Sequence, residues 1–216
     1  MPFLETFLLY LGLIKTVNMK YCIIDVETTG TDDKNCQILE IGAVIEDTSK
    51  MFPIDQLPKF KCILDHKEYS GSAFAINMNA RIFNILADKS KYKEHNVINP
   101  DMAIQMFADW INQYYFDNYN PFTDKGDFHI KEPINIGGKN FGVFDKLFLD
   151  RMLGWSETIK HHRRLIDPAM LFVDWKNDSV VPDLNKCLER AGIKKEVSHN
   201  ALEDAIDTLM CLRAKY

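Results

Sequence analysis

Apolar and polar positions along this chain switch between two spacings, one near two residues and one near three and a half. Lys20 to Val26 and Ile38 to Ile45 are dense in isoleucine and valine and bounded by turn residues, which predicts two strands. The polar stretch "TGTDDKN" between them predicts a short hairpin connection. "KFKCIL" (Lys59–Leu64) alternates polar and apolar residues, as a third strand with one wet face does. Three sequential strands with short links predict an antiparallel meander.

Helical spacing follows. "AINMNARIFNILA" predicts a helix from about Asn79 onward. Asn99-Pro100 pairs a capping side chain with proline at the first helical position, and Ala103, Phe107, Trp110, Ile111 and Tyr114 then recur on one face. "PINIGG" (Pro133–Gly138) predicts a short buried strand and "FDKLFLDRML" a helix. "RRLIDPAMLF" predicts a fifth strand, "LNKCLERAG" a helix with glycine past its end, and the chain closes in a helix from about Ala201. The order predicts an α/β fold, a mixed five-stranded sheet flanked by helices.

With 216 residues, 46% hydrophobic and 26% charged, the chain has the size and composition of one globular domain. Its opening "MPFLETFLLYLGLIKTVNMK" holds an apolar run from Phe7 to Ile14, broken only by Gly12. That run lacks a basic leader and a small-residue cleavage site and is too short to span a bilayer. Residues 1–18 are therefore expected to form a packed helical extension or a segment for a protein partner or self-association, ahead of a single domain at 19–216. Five scattered cysteines, without zinc spacing, fit buried thiols in a reducing cytoplasm. A formal net charge of -5 excludes a cationic wrapper for long nucleic acid.

Charge placement changes the picture more than charge total. In "YCIIDVETTG" Asp25 and Glu27 lie two residues apart and share one strand face at the end of an apolar run. In "GGKNFGVFDKLFL" Asp145 sits among Phe141, Val143, Phe144, Leu147 and Phe148. In "VSHNALEDAIDTLMCL" Asn200 and Glu203 have capping-box spacing, so a helix starts just after His199 and carries Asp204 on the flank of its apolar stripe. Four acids at the edge of a core repel one another unless cations intervene. Magnesium takes oxygen ligands, and two ions can stabilise both oxygens of a phosphoryl displacement. A histidine titrates near neutrality and can take the proton of an attacking water. These are ingredients of metal-assisted phosphodiester hydrolysis, although periodicity alone does not bring them together.

"DVETTG", "GGKNFGVFD" and "HNALED" occur in the order of the three sequence blocks of the DEDDh exonucleases, which the chain resembles from Asp25 to Asp204. That family includes proofreading ε-type subunits, ribonuclease T and oligoribonucleases. The resemblance implies a ribonuclease-H-like sheet with its second strand antiparallel, and 3′→5′ removal of nucleoside 5′-monophosphates from single-stranded DNA or RNA ends. It implies that Asp25, Glu27, Asp145 and Asp204 hold two divalent cations, Mg2+ or Mn2+, and that His199 is the general base. Thr28 is implied against the terminal nucleotide, and Asn140 is a substrate-side residue supporting the Asp145 loop.

Other features stay open at this level. Asp167 in "LIDPAML" is an inward acid read as structural. "KHHRR" (Lys160–Arg164) suits either phosphates or a solvated turn. Among Tyr114, Tyr115, Phe116, Tyr119, Phe122 and Phe128, the helical members are read as core and the three loop members as base-stacking candidates, with Lys125 and Lys131 nearby. The competing function classes are a nuclease-like module docked to a partner through its N-terminus and an endonuclease on a related sheet.

Overall fold

A computed structural model of the protein describes residues 18–120, 129–195 and 197–216. The expected N-terminal helix, together with Phe122, Lys125 and Phe128, lies outside them. Strands β1 (Lys20–Thr28), β2 (Ile38–Asp47) and β3 (Lys59–Leu64) form the expected antiparallel meander. Two short strands, β4 (Val97–Ile98) and β5 (Asn135–Gly137), run parallel to β3 and β1 at the edges. The sheet order is β4-β3-β2-β1-β5, a mixed five-stranded sheet.

The fifth strand predicted at "RRLIDPAMLF" does not form. His161 and Ile166 make only isolated parallel bridges, to Ile134 and Gly137, and Pro168–Phe172 is a 3-10 helix. Pro168 offers no backbone donor, and the Asp167 carboxylate caps the new turn by accepting from the Ala169 N–H at 2.8 Å. The fifth strand is β4 instead, too short to show in the periodicity.

Helix α1 (Ala73–Met78) begins earlier than predicted, because Ser72 Oγ accepts from the Ala75 N–H at 3.1 Å. Asn79 then separates it from α2 (Ala80–Leu86). Helix α3 (Pro100–Tyr115) starts as its sequence predicts, Asn99 Oδ1 accepting from the Asp101 N–H at 3.0 Å. Its apolar face packs Phe107 and Trp110 against Phe60 of β3, and Phe107 also stacks on Trp155, with ring centroids 5.1 to 6.1 Å apart. Tyr114 departs from its assignment to the core: it is exposed, its ring resting on Trp110. Tyr115 is half-buried against the core, its hydroxyl donating to the Lys20 carbonyl at 2.5 Å.

Two short helices, α4 (Asp145–Leu149) and α5 (Trp155–Thr158), precede α6 (Leu184–Arg190) and the closing α7 (Ala201–Arg213). The two faces of β1 have separate duties. Cys22, Ile24 and Val26 meet α3, while Tyr21 and Ile23 meet Ala205, Ile206, Leu209 and Leu212 of α7. Asp25 and Glu27 continue that second face, so they emerge beside the first turn of α7.

Residues 40, 42, 44 and 46 of β2 also face α7. Val44 packs in the same cluster, and Glu46 pairs with Arg213 near the helix end. Glu40 accepts from the Ala201 N–H at 3.0 Å at the helix start. Between them Gly42 admits the helix backbone so closely that a Cβ there would lie 2.1 Å from the Leu202 nitrogen. Helix α7 is thereby fixed at both ends across β2.

Candidate functional site

Strand β1 ends in a bulge between Glu27 and Thr28, just past the point where its acids meet α7. Glu27 is 7% exposed, Asp145 2% and Asp204 5%, while Asp25 is half-buried and His199 is exposed. Among the described residues no lysine or arginine lies within ion-pair distance of the four acids. Single donor atoms of Glu27, His199 and Asp204 lie within 4.8 Å of one another, close enough to share one ion.

Asp145 reaches this edge because its Oδ1 accepts from the Val26 N–H at 2.9 Å, the amide between the two β1 acids. The turn before it is framed by Asn140, which takes a left-handed φ of 60° and accepts from the Val143 and Phe144 N–H groups at 3.0 and 3.1 Å. Asn140 donates its own N–H to Asp167 at 3.0 Å and accepts from Lys139 Nζ at 2.6 Å. Asp167 thus spends its oxygens on backbone donors, which fits the structural reading. The basic run Lys160–Arg164 lies just before Ile166, whose carbonyl accepts from Gly138; Arg163 and Arg164 are exposed.

His199 also sits in the left-handed region, at φ 51°, immediately before α7. Asn200 caps that helix by accepting from the Glu203 N–H at 3.4 Å. The preceding loop is tied back by Lys195, which pairs with Glu203 at 3.0 Å and Asp207 at 2.8 Å. Asp204 accepts from the Ser198 N–H and hydroxyl at 3.3 and 3.4 Å. Thr28 is buried and donates its hydroxyl to the Gly30 carbonyl at 2.7 Å, while its own carbonyl accepts from Asn79 at 3.2 Å.

The electrostatics follow from crowding. Burial raises Asp25 well above the ordinary carboxylate range, and Asp145, Asp204, Glu27 and Glu40 push it further. Burial, then Asp204 and Glu40, raise Glu27 to about 7 against partial relief from Asn79 and Arg81. Burial likewise raises Asp145 to about 7, although the Val26 N–H opposes it. Asp204 is raised by burial and Asp207, with His199 pulling the other way. Each group would lose this cost on meeting a cation.

One acid was not singled out by its sequence pattern. Glu40 is fully buried directly across the β1–β2 pairing from Glu27, held by Arg81 and Lys61. Its signal was present, an acid inside the apolar run "ILEIGAVI", but the opposing register is invisible without the hairpin.

Neither a protein-family model nor a curated protein sequence matches the chain. Solved structures do. The nuclease domain of 3′hExo, a DEDDh family member bound to rAMP, aligns with TM-score 0.60 at 15% identity, over 94% of this chain and 93% of its own. The zinc-ion-bound E. coli ExoI–ssDNA complex aligns with TM-score 0.57 at 14% identity, over 91% of this chain but 40% of its own. Cell-death related nuclease 4 (CRN-4) aligns with TM-score 0.57 at 14% identity, over 90% of this chain and 62% of its own. The chain therefore has the ribonuclease-H-like α/β fold that these nucleases share.

Proposed function

We propose that this chain is a divalent-metal-dependent 3′→5′ exonuclease that releases nucleoside 5′-monophosphates from single-stranded DNA or RNA. The observation that carries the reading is that Glu27, Asp204 and His199 bring donor atoms within 4.8 Å of one another. Asp25 and Asp145 lie outside that trio but crowd it electrostatically, and among the described residues the four acids have no cationic side-chain partner. Carboxylate oxygens raised by burial and mutual repulsion fit hard divalent cations such as Mg2+ or Mn2+. When bound, such ions neutralise the developing charge of a phosphoryl displacement and acidify a water.

The chain's own residues supply the rest. Strand β1 holds Asp25 and Glu27 rigidly, and the Val26 N–H fixes Asp145 beside them. His199, exposed at the rim, takes the proton of the attacking water in its neutral form. Thr28 lies against the terminal nucleotide, and Asn140 supports the Asp145 loop on the substrate side. The fold is shared with an rAMP-bound and an ssDNA-bound nuclease, which supports single-stranded nucleic acid as the substrate class. A net charge of -5 suits short or frayed strands, because the electrostatic footprint for long duplex is small. Five free cysteines suit a reducing cytoplasm. Among the described residues no helix is long and apolar enough to cross a membrane.

The test is a pair of single strands of one sequence, one linear and one circular, incubated with the protein and Mg2+. The linear strand is expected to shorten while the circle stays intact. Nicked circles would overturn the exonuclease reading in favour of an endonuclease, and running the pair as DNA and as RNA identifies the preferred sugar.

A further inference from the structure

Glu40 is a fully buried acid that the proposed chemistry does not use, yet it stands directly opposite Glu27 on the neighbouring strand. Cross-strand partners bring their Cβ atoms to about 5 Å, and like charges so placed destabilise a sheet. Two cations answer that repulsion on the Glu40 side alone. Arg81 of α2 donates to Glu40 Oε2 at 2.8 Å, and Lys61 of β3 places Nζ 3.2 Å from Oε1 as an ion pair without hydrogen-bond alignment. The Ala201 N–H also donates to Oε2, at 3.0 Å. Lys61 reaches on to Asn200 Oδ1 at 3.2 Å.

Arg81 is near enough to Glu27 to lower its proton affinity, yet it is not paired with it. Two acids thus compete for one guanidinium, and Glu40 holds it. We infer that Glu40 is a positioning residue that keeps Arg81 off Glu27, with Lys61 helping to balance the Glu40 charge, leaving the Glu27 carboxylate open for a divalent ion; the inference rests on the metal reading above. A guanidinium paired with Glu27 would occupy the lone pairs that a cation needs and would add a positive charge beside it. Glu40 therefore sets the charge of the site without touching substrate or ion.

Glu40→Gln separates this role from simple anchoring of α7. Glutamine keeps a carbonyl oxygen for the Ala201 N–H but has no charge with which to hold the two cations. The experiment is a Mn2+ titration read by electron paramagnetic resonance of free Mn2+, without substrate, with thermal unfolding of each variant recorded alongside. Residues behind a metal site change affinity by about 10–100-fold, so E40Q is expected to weaken Mn2+ binding by about tenfold or more. The double variant E40Q/R81M removes the released guanidinium and is expected to recover most of that loss. Unchanged Mn2+ binding in E40Q would overturn the inference, as would a loss that R81M fails to recover. Should E40Q not fold, the shorter E40D, which withdraws the carboxylate from Arg81, is read against E40D/R81M in the same way. Wild-type protein that binds no Mn2+ would instead overturn the metal reading itself, so the two failures are distinguishable.

Discussion

Replacing Glu27 with glutamine should make the metal-free protein more stable at alkaline pH, an unusual outcome for changing a buried residue. Glu27 is raised from an ordinary 4.5 to about 7 by burial and by Asp204 and Glu40. A carboxyl with a raised folded-state pKa stabilises the fold while protonated, and that stability is lost as pH rises from the unfolded value to the folded one. Between about pH 4.5 and 7 the native state holds more protons than the unfolded chain, so metal-free stability falls across that window. At 1.36 kcal/mol per unit, the cost above pH 7 is on the order of 3 kcal/mol. For a chain of this length that corresponds to a midpoint shift of roughly 6–12 °C.

Scanning calorimetry in chelator at pH 8 and pH 5 measures it. E27Q should melt several degrees above wild type at pH 8, with most of the gap closed at pH 5. Added Mn2+ should then raise the wild type and leave E27Q nearly unmoved. An E27Q protein less stable than wild type at pH 8, with no pH dependence in the difference, would refute the reasoning. It would mean that local hydrogen bonds already satisfy Glu27 and that no cation is wanted.

Two further outcomes probe the geometry. His199→Gln should lower turnover by about 10²–10⁴-fold while Mn2+ binding stays within a few-fold of wild type; collapse of Mn2+ affinity would make His199 a ligand instead of a base, which its position near Glu27 and Asp204 also permits. Gly42→Ala should destabilise the fold by at least the roughly 1–3 kcal/mol of ordinary overpacking, since the new methyl would meet the Ala201 and Leu202 backbone at 2.1 to 2.5 Å, and a denaturant midpoint unchanged from wild type would contradict that contact.

What could be read from the sequence was local. Asp25, Glu27 and Asp145 are legible because each interrupts or ends an apolar run, and Asp204 because it flanks the apolar stripe of its helix; an acid there needs a reason. Their convergence was not legible, since the bond from Val26 to Asp145 closes 119 residues of chain. The role of Glu40 is not legible in the sequence, because it lies in the hairpin register that sets it opposite Glu27 and in Arg81, which arrives from α2. The meander was visible in its β-branched runs, whereas β4 has two residues and no periodicity to offer. At "LIDPAML" an extended-looking pattern yielded to proline and a capping aspartate, a local device that outweighs hydrophobic spacing.

The most direct measurement is a time course on a 5′-end-labelled single strand, with Mg2+ and with chelator, resolved to single nucleotides. The account predicts a ladder that shortens one nucleotide at a time from the 3′ end in Mg2+, vanishes in chelator and is lost in Asp25→Ala. A full-length strand that persists in Mg2+, or immediate release of the labelled 5′ nucleotide, would contradict it.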